Sequence, residues 1–337
     1  MLGDVYKRQV IVSGSRTPVG RFGGAFKDLG APDLGAIAIK SALEKAGISP
    51  DMVEEVIIGN AIQSAEAGYA ARLASLKSGI PHDTPTIAVN RQCSSGLEAI
   101  NMAAQLIRTG EAEIVVAGGT ENMSQVPFLI EYQARFDGLR MGNSQLIDGL
   151  TEGLGCPVNR YHMGVTAENV AERFSVSRED QDELAAISHQ RASMAMSEGR
   201  FSNQITEVLV PQRKGDPMVV TEDEGPRPET TIESLATLRP VFKKDGTVTA
   251  GNASSINDGA AAVVMMSSRK AAELGLKPRM KWQTRGIAGV EPAVMGTGPV
   301  PAVEKAMKKS GMAVNLSLIH ISEPTRPRLI SYAVFCL

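Results

Sequence analysis

The sequence predicts an α/β protein in which a layered sheet is covered by helices on both faces. Short apolar, β-branched runs alternate with helical patterns in the first part of the chain, the rhythm of strands buried on both sides. Aromatic residues make up only 4% while glycines number 33, so packing relies on Ala, Val, Ile, Leu and Met and on closely approaching backbones. With 337 residues, 43% hydrophobic and 21% charged, the chain can bury a sizeable core and is long enough for roughly two domains.

Taken in order, Val10-Ile11-Val12 reads as a strand, residues 34–46 as a helix ended by Gly47, and Val56-Ile57-Ile58 as a second strand running into Gly59. Residues 70–77 are helical in pattern, 86–89 form a strand, 96–108 a helix with Gly110 past its end, and 114–117 a strand leading to Gly118-Gly119. Over 123–251 the rhythm changes to longer polar connections, with prolines through 211–228, and this segment reads as an inserted lobe. Its clearest element opens on the capping box Ser177-x-x-Asp180 and runs to Gly199, with Leu184, Ile187, Arg191 and Met194 expected along one half-buried stripe. A buried strand over 260–266, a helix over 269–274, a mixed strand over 280–287 and a helix over 300–309 follow. The ends read as foreign to this pattern. Residues 1–9 add charge and turn formers before a strand suited to begin a domain, and 316–337 carries Pro324, Pro327 and an apolar end without a helical stripe.

Lys+Arg 35 against Asp+Glu 37 gives a net charge of −2 with no long block of one sign, so neither a nucleic acid nor an anionic membrane surface is indicated as a partner. The longest apolar run, 260–266, is far short of the roughly 18 residues that cross a bilayer, and no apolar segment follows a basic start. A soluble, cytoplasmic chain is expected. Cys93, Cys156 and Cys336 form no C-x-x-C pair, which speaks against a disulfide scaffold or a structural zinc site. No metal site, P-loop or nicotinamide fingerprint is visible.

The segment Asn90-Arg91-Gln92-Cys93-Ser94-Ser95-Gly96-Leu97 lies between a predicted strand and a predicted helix. A cysteine at a helix start meets the unpaired N–H groups and the positive end of the macrodipole, which favour the thiolate and hence a nucleophile. Spacing alone favours a buried, inert thiol over the nucleophile, and other features must decide.

Further blocks follow in order: Gly118-Gly119-Thr120-Glu121-Asn122-Met123-Ser124, Tyr161-His162-Met163-Gly164, Leu238-Arg239-Pro240, Asp245-Gly246-Thr247-Val248-Thr249-Ala250-Gly251-Asn252-Ala253-Ser254, Asn257-Asp258-Gly259-Ala260 and Met295-Gly296-Thr297-Gly298-Pro299. Together with the Cys93 segment and the opening Val12-Ser13-x-x-Arg16-Thr17-Pro18, they resemble the thiolase family over about 10–315. The resemblance implies a layered αβαβα fold: an N-terminal half over 10–122 completed by 252–275, a coenzyme A-holding lobe over 123–251, and the start of a C-terminal half over 276–315. It implies reversible ping-pong cleavage or Claisen condensation of 3-oxoacyl-CoA through an acyl-Cys93 intermediate, with the Cys93 backbone N–H as an oxyanion donor. No resident cofactor is implied, coenzyme A being a substrate. Leu154, His162, Met163, Arg227, Ser234, Phe242, Ala250, Ser254 and Met295 fall on positions that line the CoA groove, and homodimers or homotetramers are the expected assemblies. Tyr161-His162-Met163-Gly164 resembles the acetoacetyl-CoA type and the Cys93 segment the broader 3-oxoacyl-CoA type; acetoacetyl-CoA/acetyl-CoA is the expected pair.

The chain also departs from the family. An Asn-Glu-Ala-Phe segment, a Gly-His-Pro segment bearing the activating histidine and a Cys-x-Gly-Gly-Gly segment bearing the second cysteine are absent, and neither His320 nor Cys336 stands in such a context. Residues 1–9 and 316–337 are accordingly read as translated adapter or out-of-frame sequence on a truncated thiolase, inactive or nearly so and poorly soluble. Two rivals stand beside this reading: a non-catalytic acyl-CoA-binding protein, and a condensing enzyme for carrier-protein substrates, which the inserted lobe disfavours.

Overall fold

The computed structural model describes residues 8–63 and 65–312. The leader expected over 1–9 falls mostly outside these residues, and the tail over 316–337, with His320 and Cys336, falls wholly outside them. The strands are β1 Gln9–Arg16, β2 Gly20–Arg21, β3 Glu55–Gly59, β4 Thr86–Val89, β5 Ile114–Asn122, β6 Phe128–Leu129, β7 Ile147–Asp148, β8 Val208–Val210, β9 Met218–Val220, β10 Asn257–Ser267 and β11 Met280–Lys281. One mixed sheet runs β11-β1-β10-β5-β3-β4, with β2 paired to β10; β6-β7 and β8-β9 are separate two-stranded pairs. Strands β4, β3 and β5 are parallel, whereas β10 lies antiparallel to both β5 and β1.

Alternation along the strands builds two cores. Val10, Val12, Val56, Ile58, Ile114 and Val116 face Ile39 and Leu43 of the helix Ala31–Ala46 and Ala71 and Ala74 of Ala70–Lys77. Ile57, Val115, Ala117, Val263 and Met265 point the other way, onto Ala99, Ile100, Ala103 and Ile107 of the helix Ser95–Thr109. Both faces of the sheet are therefore covered. Burying each large side chain contributes roughly 1.5–3 kcal/mol. The helices Ala31–Ala46 and Ser95–Thr109 stop where the sequence indicates, at Gly47 and Gly110 in left-handed conformations.

Two sequence expectations are corrected. Over 280–287 only Met280 and Lys281 are strand. The chain then leaves the sheet because Trp282 packs against the second core and donates from Nε1 to Asn101 Oδ1 at 3.0 Å, while Arg285 reaches Glu98 at 3.0 Å. The capping-box helix, Arg178–Ser197, forms as expected, but its apolar stripe is not its buried face: Leu184 and Met194 are 53% and 48% exposed. A polar anchor and small residues set that face. Asp182 is buried between Arg178 (2.6 Å) and Asn252 (2.9 Å), and Ala185 and Ala186 pack on Leu235.

Segment 201–224 is tied to β1 by Arg16, whose guanidinium grips Asp223 at 2.7 and 2.9 Å, donates from Nε to Gln204 Oε1 at 3.1 Å and lies over the Phe201 ring at 5.2 Å. Both partners of the Arg16–Asp223 pair are largely buried. Arg16→Ala is expected to destabilise the chain by about 3 kcal/mol, because Asp223 is left without its bidentate partner. A urea midpoint unchanged from wild type would show that the pair holds nothing.

Candidate active site

The helix Ser95–Thr109 starts directly on the carboxyl ends of the parallel strands, the place where open α/β sheets gather their reactive groups. Glycines make the approach possible. A side chain at Gly59 would put a Cβ 2.3 Å from the Ser95 carbonyl carbon and 2.4 Å from Gly96 N, and one at Gly119 would lie 3.3 Å from Gly96 Cα.

Cys93 sits in the tight turn between β4 and this helix and is exposed. The turn is built by short-range hydrogen bonds. Ser95 Oγ accepts from the Arg91 N–H at 2.8 Å and donates to the Gln92 carbonyl at 2.5 Å, and the Ser94 N–H donates to the Arg91 carbonyl at 3.1 Å. Gln92, immediately before the cysteine, has φ +49°, a left-handed conformation uncommon outside glycine. Asn90 Oδ1 accepts the Gln92 N–H at 3.0 Å and so supports that residue. The Ser94 hydroxyl donates back to the Arg91 carbonyl at 2.9 Å instead of capping the helix, so its first turn presents backbone N–H groups at this corner. The sequence left buried and exposed thiols open; the structure exposes Cys93 and buries Cys156.

Beside the turn, a cleft of about 200 Å³ is lined by Ile62, Gln63, Gln92, Val126, Pro127 and Leu129 among others. Its wall is mostly apolar, and Gln92 joins it to the Cys93 turn. Behind it lies Glu121 on β5, a residue the sequence offered only as part of a motif block. Its carboxylate accepts from Asn60 Nδ2 (2.9 Å), Ala61 N (2.7 Å) and Ile62 N (3.3 Å). Burial pushes its carboxyl up to about 7, the three donors and the neighbouring Asp258 acting less strongly. The sign follows from a folded value above the unfolded one of 4.5. Glu121's contribution to stability is whole below about 4.5 and is lost as pH rises through about 7. Urea unfolding between pH 4.5 and 8 is expected to show this downward component in wild type and not in Glu121→Gln; equal slopes in both would refute it.

The residues assigned to the CoA groove fall into groups. The His162 and Phe242 rings stack, with centroids 4.8 Å apart and planes at 11°. Gly164 makes room, since a Cβ there would come within 2.3 Å of the Phe242 ring. His162 is the N-cap of the helix Met163–Phe174, its Nδ1 accepting the Gly164 N–H at 3.0 Å, and burial lowers its pKa, so the neutral ring keeps Nε2–H as a donor. The Met163 N–H bonds the Leu154 carbonyl at 3.0 Å, which places Leu154 and Met163 beside the stack. Glu168, buried on the same helix and missed in the sequence, accepts the Thr247 and Val248 N–H groups at 2.8 Å each and so fixes the turn that carries the exposed Ala250. Ser254 follows on the exposed continuation of that turn. Met295, 40% exposed, lies on Pro292–Thr297, held to the helix through Asn169 Nδ2 and the Ala293 carbonyl at 2.9 Å. Arg227 and Ser234 form a separate, exposed group over the helix Arg178–Ser197. The Arg227 N–H donates to His189 Nδ1 at 3.2 Å, and Ser234 completes a capping box with Thr231.

Known proteins are similar to this chain in sequence and fold. A family profile described as "Thiolase, N-terminal domain" matches residues 9–269. A "Probable acetyl-CoA acyltransferase" of Staphylococcus aureus (strain COL) is 50% identical over 304 residues, 90% of this chain and 77% of that protein. A protein of the same description from Staphylococcus epidermidis is 50% identical over 309 residues, 91% of this chain and 78% of its own length. Among solved structures, the Bacillus anthracis acetyl-CoA acetyltransferase superposes with a TM-score of 0.88 at 40% identity, over 91% of this chain and 77% of that one. A human mitochondrial 3-ketoacyl-CoA thiolase in complex with CoA does so at 0.87 and 40%, over 92% and 78%.

Proposed function

Since the chain belongs to the thiolase family and is thereby an acyltransferase, we propose that Cys93 is its nucleophile and acetoacetyl-CoA with acetyl-CoA its substrate pair. The observation that carries the reading is an exposed thiol in a strained turn at a helix start, above the ends of three parallel strands. In the thiolysis direction Sγ attacks the 3-keto carbon, the bond between C2 and C3 breaks, and C2 leaves with its electron pair to be protonated as acetyl-CoA. The thiol of a second CoA then takes the acyl group from sulfur, so that one difficult step becomes two easier ones. The Cys93 backbone N–H serves as one donor to the oxyanion.

In the same reading residues 123–251 form the CoA-holding lobe, inserted in an N-terminal half made of 10–122 and 252–275, and 276–315 begin the second half. Leu154, His162, Met163, Phe242, Ala250, Ser254 and Met295 flank the thin pantetheine arm, while Arg227 and Ser234 meet the nucleotide end. Phe242→Ala removes the ring that fixes His162 and is expected to weaken CoA binding five- to tenfold by calorimetry; an unaltered Kd would remove the stack from the CoA site. The exposed Ile87 on edge strand β4, and Phe128, Tyr132, Phe136, Leu139 and Met141, suit a homodimer or homotetramer.

We expect acetoacetyl-CoA to acylate Cys93. The test is incubation of the chain with acetoacetyl-CoA followed by intact-mass and peptide analysis. One acetyl group on the Cys93 peptide supports the reading. CoA binding without any adduct would instead make the chain a non-catalytic acyl-CoA binder.

A further inference from the structure

Glu121 lies behind the cleft, and a continuous set of hydrogen bonds runs from it to the residue that precedes Cys93. Its carboxylate holds the 60–62 loop through Asn60 Nδ2, Ala61 N and Ile62 N. The Ala61 carbonyl of that loop accepts from Asn90 Nδ2 at 2.9 Å, and Asn90 Oδ1 accepts from the N–H of the left-handed Gln92. Asn60 is 1% exposed and donates to both Thr120 O and Glu121, while its own Oδ1 finds no partner among the described residues. A buried amide with an unmatched acceptor is a poor choice for stability alone; it is the arrangement of a residue placed to hold a neighbour.

We propose that Glu121 is a positioning residue for Cys93, acting through the 60–62 loop and Asn90 to hold the strained Gln92 turn; this rests on the reading of Cys93 as the nucleophile. Burial of the charge favours the protonated form overall, but the carboxylate is the form whose two oxygens accept all three donors, so protonation of Glu121 weakens its hold on the loop. The charged group acting on it is Asp258 on β10, next to Gly259, the register partner of Glu121. Asp258 is itself held by the Ser124 N–H and hydroxyl at 3.0 and 2.6 Å, with Glu224 acting on it in turn.

The experiment is site-resolved alkylation of the full chain by iodoacetamide from pH 5.5 to 9, read by peptide mass spectrometry, which needs no turnover. In wild type Cys93 is expected to react faster at pH 7 than the cysteine of an unstructured peptide, and to lose rate below about 7 more steeply than one thiol titration allows. Glu121→Gln is expected to slow Cys93 at least fivefold and to reduce the profile to a single titration, with the buried Cys156 unaffected. Asn90→Ala interrupts the same path at an exposed residue and is expected to slow Cys93 similarly, which keeps the test open should Glu121→Gln fold poorly. A fast Cys93 with either folded variant within twofold of wild type would overturn the proposal and leave the nucleophile standing. A wild-type Cys93 no faster than the peptide would overturn both.

Discussion

Replacing Cys93 by serine is expected to remove the acyl adduct altogether and to lower acyl transfer by ~10³-fold or more. A serine hydroxyl in the same turn keeps the backbone and the helix start, but it has no nearby source of a reactive anion comparable to a thiolate at neutral pH. The effect should fall on the covalent step alone. Cys93 lies in the turn before Ser95–Thr109, whereas His162, Phe242 and Glu168 belong to another helix and the turn it holds, so CoA affinity is expected to be unchanged. Intact mass with acetoacetyl-CoA and calorimetry with CoA read the two quantities separately. If serine at 93 left the adduct in place, the acylated residue would be another one, and Cys93 would be a turn-forming cysteine.

The outline of the sheet was legible in the sequence because its signals are local. Four apolar residues ending at Gly118-Gly119, or an apolar stripe closed by Gly47, are decided within one turn or one strand, and the structure extends β5 only into the polar Thr120-Glu121-Asn122. What was not legible depends on partners far along the chain. Leu184 and Met194 looked like the inner stripe of their helix until Asp182, pinned by Arg178 and Asn252, turned the helix onto its alanines. Trp282 ended an expected strand because Asn101, on a helix far earlier in the chain, takes its indole N–H. The same distinction runs through the site. Cys93 announced itself by standing between strand and helix, but Glu121, Asn60 and Asn90 act across about sixty residues of separation between Asn60 and Glu121, and no local pattern joins them. A carboxylate continuing an apolar strand was the available signal for Glu121, and a carboxylate on the inner face of a short amphipathic helix the one for Glu168.

Gly59→Ala is expected to do the largest damage of any single methyl group in the site. Its Cβ would stand 2.3 Å from Ser95 C, 2.4 Å from Gly96 N and 2.6 Å from Ser95 O, all backbone atoms with no flexible side chain to yield. Ordinary contact needs about 3.4 Å, so the helix start must retreat by roughly 1 Å or β3 must bend. Strain of this kind costs about 3 kcal/mol in a packed core. The displacement falls on the first turn of the helix that Cys93 precedes, and a misplacement of roughly 1 Å at a reacting group lowers rate by about 10²-fold. Gly68→Ala is the matching control, because a Cβ there meets nothing within 4 Å, and its stability is expected to stay within about 0.5 kcal/mol of wild type. Urea midpoints and Cys93 adduct rates, measured on both variants, separate the outcomes. A Gly59→Ala chain as stable and as readily acylated as wild type would mean that the helix does not rest on β3 in the way its glycines require.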